Sequence, residues 1–167
     1  LELEHRRDRT AGVVQRHEMV MDAFSVAENF ELAEHDVCVC VLPFFHVNAQ
    51  YTSFFPMLGY GGKLVLFEKF SASRFWPVVQ EHQATYVSVV PSLLTRLLAA
   101  GLPEKKAWAS LRFIICGAAP LAADLHEEFM EKTGIPVANG WGMTETGCWG
   151  CQMKPSAITH GAMGYPL

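Results

Sequence analysis

The run Val37-Cys38-Val39-Cys40-Val41-Leu42 constrains the fold of this chain more than any other stretch. It is wholly apolar and half β-branched, the pattern of a strand buried on both faces, as in a parallel sheet. Similar runs follow at Lys63-Leu64-Val65-Leu66-Phe67, Thr85-Tyr86-Val87-Ser88-Val89-Val90 and Leu111-Arg112-Phe113-Ile114-Ile115-Cys116, with a short fifth at Ile135-Pro136-Val137-Ala138. Stretches with helical spacing separate them. Residues 17–33 carry Val20, Phe24 and Ala27 on one face. Tyr51, Phe54, Phe55 and Leu58 recur at helical intervals before Gly59, which is expected to stop that helix. Ser71 or Ser73 can cap a helix that buries Phe75, Val78, Val79 and His82. Pro91 suits a first helical position, with Leu93, Leu94, Leu97 and Leu98 facing inward and Gly101 closing the helix. A last helix turns Leu125, Phe129 and Met130 inward and ends at Gly134. This alternation predicts an α/β fold: a doubly wound, mostly parallel sheet of about five strands with helices on both faces and right-handed crossovers.

In such sheets ligands bind outside the carboxyl ends of the strands. Three unusual segments fall there: residues 43–48, 117–120 and 139–147. The last reads Asn139-Gly140-Trp141-Gly142-Met143-Thr144-Glu145-Thr146-Gly147. Its glycines let backbone approach a ligand closely, and Trp141 between two of them can lie against a flat partner. The Thr144 hydroxyl can donate to a phosphate oxygen, and the Glu145 carboxylate can hold a phosphate-bound Mg²⁺. The set suggests a magnesium nucleotide. Taken alone, the same residues also suit a Gly-rich loop with a core tryptophan and a helix-capping threonine.

Composition narrows the classes. The chain has 167 residues, enough for one domain with a sizeable core. Residues 1–16 read as an irregular lead-in to an α/β unit over 17–167, and the lack of an initiator Met reads as the mark of a fragment. Net charge is −4, and the one basic cluster is Arg6-Arg7-Asp8-Arg9, which argues against a nucleic-acid surface. No apolar run reaches the roughly 18 residues of a membrane span, and no signal-peptide pattern opens the chain. Five cysteines, several of them in or beside apolar runs, point to reduced thiols and a cytoplasmic setting. Cys148 and Cys151 have metal-ligand spacing, but the second ligand pair that zinc would require is missing. Cys116 has neither a partner histidine nor a nucleophile pattern around it and reads as a small buried hydrophobe.

The segments resemble, in order and spacing, those of the adenylate-forming superfamily, in particular its acyl-CoA synthetase branch. Leu42-Pro43-Phe44-Phe45-His46 is similar to the family's LPxFH segment. Gly117-Ala118-Ala119-Pro120-Leu121 resembles its GGAPL turn. Residues 140–145 resemble GYGMTE, with Trp141 in place of the usual tyrosine. Residues 160–167 resemble its GSVGxPxPG segment, cut short. The resemblance covers residues 12–167 or so and implies an ATP-dependent acid–thiol ligase. Such an enzyme joins a carboxylic acid to ATP as an acyl-adenylate, and a thiol, usually CoA, then displaces AMP. The resemblance further implies that Thr144 contacts phosphate and Glu145 ligates Mg²⁺. Trp141 would line the adenine, within a nucleotide site running from Asn139 through Gly140, Gly142 and Met143 to Thr144. Gly117, Ala118 and Ala119 would bind the base through backbone, and His46 would stand near the acyl pocket and the reacting carboxylate.

The chain departs from the pattern at its start. Where the family's phosphate loop ends in Pro-Lys-Gly-Val, this chain reads Thr10-Ala11-Gly12-Val13, with Ala11 at the lysine position. The family's ribose-binding aspartate and its late catalytic lysine fall beyond residue 167. The expectation is therefore a piece of the AMP-binding domain that is inactive by itself, with uncovered apolar faces that invite self-association. The alternative is a non-catalytic, flavodoxin-like nucleotide-binding or scaffold module.

Overall fold

A computed structural model of the protein describes residues 16–166. Residues 1–15 of the 1–16 lead-in, with the basic cluster and Ala11, lie outside the described residues, and Arg16 already opens the first helix. Seven strands form one sheet: β1 (Val37–Cys40), β2 (Lys63–Leu66), β3 (Tyr86–Val89), β4 (Phe113–Cys116), β5 (Val137–Trp141), β6 (Cys151–Gln152) and β7 (Tyr165–Pro166). Their order is β2-β1-β3-β4-β5-β6-β7. The first five are parallel and follow the 2-1-3-4-5 order of doubly wound sheets. The last two add an antiparallel edge that the five-strand expectation lacked.

Alternation along the strands splits the core in two. Cys38, Tyr86, Phe113, Ile115 and Ala138 face the side covered by α1 (Arg16–Asn29) and α2 (Phe55–Tyr60), where Val26, Phe30, Tyr51 and Met57 meet them. Val39, Val87, Val89, Ile114 and Val137 face the other side. There α3 (Ala72–His82), α4 (Pro91–Ala99) and α5 (Ala123–Thr133) supply Phe75, Val79, Leu94, Leu97 and Phe129. Burying apolar groups on both faces stabilises the sheet by about 25 cal/mol per Å² covered.

Three helices differ from the expected pattern. In α1 the buried residues are Ala23, Val26 and Ala27, while Val20 and Phe24 are exposed. Those two line an apolar groove of about 350 Å³ with Phe55, Pro56, Leu58 and Tyr60. The second helix is not one α-helix. It opens with a π-helical turn, Ala49–Phe54, and continues as α2 through Gly59 to a left-handed Gly61. Tyr51 and Met57 are buried, and Leu58 is 68% exposed. Pro56 explains the shift. It has no N–H for the carbonyl four residues back, and its ring crowds that carbonyl, so the turn widens. The freed Thr52 carbonyl accepts the Tyr86 hydroxyl at 3.0 Å. In α5 His126 is buried and Leu125 only half-buried.

Candidate active site

β4 and β5 run side by side with Cys116 opposite Asn139. This register brings the turn at 117–120 against the strand that carries Gly140 and Trp141. Asn139, Gly140 and Trp141 belong to β5 itself rather than to a loop beyond a strand ending at Ala138. A Cβ on Gly117 would meet the Trp149 ring at 2.5 Å and the Gly140 carbonyl at 3.2 Å. One on Gly140 would meet the same ring at 2.8 Å. Both glycines are therefore required by an internal tryptophan, whatever ligand their outer faces meet.

The turn itself is unusual. Ala118 has φ 65°, in the left-handed region that disfavours a side chain. Ala118, Ala119 and Pro120 are exposed, whereas Gly117 is buried. A strained, exposed turn fixed by a buried anchor fits a site where backbone groups meet a ligand.

Trp141 is 45% exposed, and its ring packs against Gly150, where a Cβ would lie 2.8 Å away. The core-tryptophan alternative thus applies to Trp149, not Trp141. Trp149 is 7% exposed, and its Nε1–H donates to Thr52 Oγ1 at 2.9 Å. Asn139 is committed inward: its Nδ2 donates to the Ala162 carbonyl at 2.9 Å, and its own carbonyl accepts the Met153 N–H. The carboxamide thus ties the segment leading to β7 onto the site strand.

Gly142 abuts the Cys148 carbonyl, and Met143 is exposed. Thr144 and Glu145 lie in a 3₁₀ turn, Thr144–Thr146. Thr146, not Thr144, ties that turn down: its hydroxyl accepts the Met143 N–H and donates to the Met143 carbonyl, both at 3.0 Å. Thr144 is half-buried and Glu145 is exposed. The turn ends at Gly147, with φ 82°, packed directly against the Asp22 carboxylate of α1. Asp22 thus brings a second carboxylate to this edge. No pattern in the sequence marked it, because it comes from a helix more than a hundred residues away.

His46 is exposed in the turn after β1, its ring 4.4 Å from that of Phe45. Its N–H donates to the Pro43 carbonyl at 3.0 Å. Asn48, two residues on, is buried and accepts the Ser88 hydroxyl at 2.6 Å, which pins the segment over β3. β1 and β5 are three strand positions apart in the sheet, about 14 Å at the usual strand spacing. The His46 turn and the Gly140 segment therefore follow strands that β3 and β4 separate.

Burial pushes the Cys116 and Cys148 thiols up to about 12, with a Thr52 contact partly offsetting the rise at Cys148. Neither is a nucleophile near neutral pH. Among the described residues no group of three or more His, Cys, Asp or Glu side chains could hold a metal ion. No helix among them is long and apolar enough to cross a membrane.

Fold and edge together define a doubly wound α/β domain whose candidate site spans the carboxyl ends of β1, β4 and β5. A family profile described as AMP-binding enzyme matches residues 9–167, and the chain belongs to that family. The chain is 29% identical to 4-coumarate–CoA ligase 1 of Oryza sativa subsp. japonica, over 81% of this chain and 25% of that ligase. It is 33% identical to 2-succinylbenzoate–CoA ligase of Bacillus licheniformis, over 95% of this chain and 34% of that ligase. The structure of ATP-bound MatB from Rhodopseudomonas palustris superposes with TM-score 0.87 at 26% identity, over 94% of this chain and 31% of that one. MenE from Bacillus subtilis, in complex with its acyl-adenylate intermediate OSB-AMP, gives 0.80 at 31% identity, over 92% of this chain and 31% of that one. The chain thus spans about a quarter to a third of the length of the relatives it matches.

Proposed function

We propose that this chain is the nucleotide-binding part of an ATP-dependent carboxylic acid–CoA ligase. The observation that carries the reading is the pairing of Cys116 with Asn139. It sets a strained, exposed alanine turn beside an exposed tryptophan at a carboxyl sheet edge, in a chain of the AMP-binding family. The similar MatB structure is ATP-bound and the MenE structure holds an acyl-adenylate, which supports the same ligands here. Adenine lies against Trp141 and the 117–119 backbone, and the phosphates run toward Thr144. His46, in the turn after β1, orients the acid.

The first reaction joins two anions. A carboxylate oxygen attacks the α-phosphorus, the bond to pyrophosphate breaks, and an acyl-adenylate forms. The second forms a thioester with CoA as AMP leaves. Stabilisation must come from donors placed where charge develops on phosphorus. Glu145 has the oxygen chemistry and exposure to hold Mg²⁺, which typically takes one or two carboxylates and fills its shell with phosphate and water. When bound there, the ion neutralises phosphate charge. Thr144 contributes a neutral donor. The five thiols are free in the structure and support a cytoplasmic setting. Self-association through the groove beside Val20 and Leu58 belongs to the same proposal.

The test is ATP–pyrophosphate exchange over a panel of carboxylic acids, run on this chain and on the longest version its gene encodes. Exchange with at least one acid, reduced at least a hundredfold by Glu145→Gln, is expected. Unchanged exchange in Glu145→Gln removes Glu145 from the site. No exchange by any version with any acid, together with no nucleotide binding, overturns the ligase reading.

A further inference from the structure

Trp149 touches two of the three segments that the ligase reading uses and the π-helical turn that follows the third. Its six-membered ring lies against Gly117 of the alanine turn, where a Cβ would meet Cη2 at 2.5 Å and Cζ3 at 2.7 Å. The same ring lies against Gly140 of β5. Its other end reaches the opposite side of the site, where Nε1–H donates to Thr52 Oγ1 at 2.9 Å. Thr52 is fully buried in the π-helical turn that follows His46-Val47-Asn48, and its carbonyl accepts the Tyr86 hydroxyl. Asn48, at the head of that turn, is bonded to Ser88 of β3. One rigid side chain therefore spans from the turns assigned to the nucleotide to the π-helical turn that follows His46.

The arrangement has no slack. Neither glycine has room for a methyl group while the indole stays, and Thr52 and Trp149 are both buried. A shift of the 117–120 turn must push the ring, and the ring's bond to Thr52 carries that push to the π-helical turn. Close-packed contacts of this kind transmit displacement because the interior is dense and poorly compressible. We propose, on the basis of the ligase reading, that Trp149 is a positioning residue: its indole sets the spacing between the nucleotide turns and His46, so nucleotide binding aligns the acid-facing end of the site through the Thr52 bond.

The test follows His46 by NMR during titration of the chain with AMP. The Hε1 resonance is assigned by its loss in His46→Gln. In the parent chain AMP should bind and move the His46 resonance. Trp149→Phe removes the N–H together with the outer indole carbons that face both glycines. Thr52→Val removes the same bond from the other end. In both variants the His46 resonance should no longer move, and in Thr52→Val AMP should bind with unchanged affinity. A His46 shift that persists in both variants, or that is missing from an AMP-bound parent chain, overturns the proposal and leaves the ligase reading standing. A loss of AMP affinity in Thr52→Val reduces Trp149 to core packing and also overturns it. A parent chain that binds no AMP overturns the nucleotide reading itself, and the proposal falls with it.

Discussion

Arg112 Nη1 lies 2.7 Å and 2.9 Å from the two carboxylate oxygens of Asp36, a residue with no exposed surface. Thr85 Oγ1 and the Ala33 N–H also bond that carboxylate. The three anchors precede β1, β3 and β4, so the cluster ties those strands together at the end of the sheet opposite the candidate site. Burial pushes the Asp36 carboxyl up, but the bonds from Thr85, Arg112 and Ala33 outweigh it and hold it below its usual value. Arg112→Leu should destabilise the fold by about 3 kcal/mol in urea unfolding, the low end for a stranded buried charge, because the Arg112 side chain is 37% exposed. A lowered carboxyl stabilises the native state above its unfolded pKa, and that stability is lost as pH falls through the folded value. The acid-unfolding midpoint of Arg112→Leu should therefore rise. A variant within 0.5 kcal/mol or so of the parent would show the cluster to be ornamental.

Ala118 occupies a backbone conformation that glycine adopts without strain. Ala118→Gly should raise stability by about 0.5–1 kcal/mol, the relief of strain less the added unfolded-chain entropy. Ala118→Leu should block the nucleotide with a modest effect on the sheet. Calorimetric titration with AMP separates the two effects, and normal affinity in Ala118→Leu would show that the turn serves packing alone.

His126 tests a different region. Its ring is buried, Nε2 lies 2.7 Å from the Val137 carbonyl, and the His160 ring is 4.7 Å away. Burial holds its pKa below 6.5, the Val137 bond opposes that, and His160 adds to it. The unfolded chain therefore binds more protons than the folded one between the depressed value and 6.5. Thermal stability should fall as pH drops below about 6.5. His126→Gln should flatten that dependence; an unaltered slope would place it elsewhere.

His46→Ala should raise the acid KM in exchange assays more than the ATP KM, since β1, which leads into the His46 turn, lies three strand positions, about 14 Å, from β5. A loss confined to the ATP constant would move His46 to the nucleotide end.

The five parallel strands were legible because each is a short apolar run bounded by glycine, proline or a polar loop, and burial on both faces leaves little room for other residues. The hairpin of β6 and β7 was not. Cys151-Gln152 and Tyr165-Pro166 are two-residue strands, too short for periodicity, and their pairing depends on the partner offered by Gly140 and Trp141. The candidate segments were legible as a set, but the reason for their glycines was not. Gly117 and Gly140 looked like room for a ligand, yet what first fills that room is Trp149, which the sequence offers no cue to prefer over Trp141. Asp22 was invisible for a related reason, since its approach to Gly147 is purely tertiary. The face of α2 was hidden because Pro56 breaks the regular 3.6-residue period, and that of α1 because Val20 and Phe24 line a surface groove rather than the core.

The wide turn at Ala49–Phe54 also has a meaning in sequence space. A π-helical turn is equivalent to an α-helix into which one extra residue has been spliced. Each residue of an α-helix accounts for about 100° of rotation, so the splice re-phases everything before it relative to everything after. Deleting a single residue from this stretch would re-phase its two halves and turn Thr52 away from Trp149 or Met57 away from the core. The segment should therefore tolerate substitution far better than a change in length.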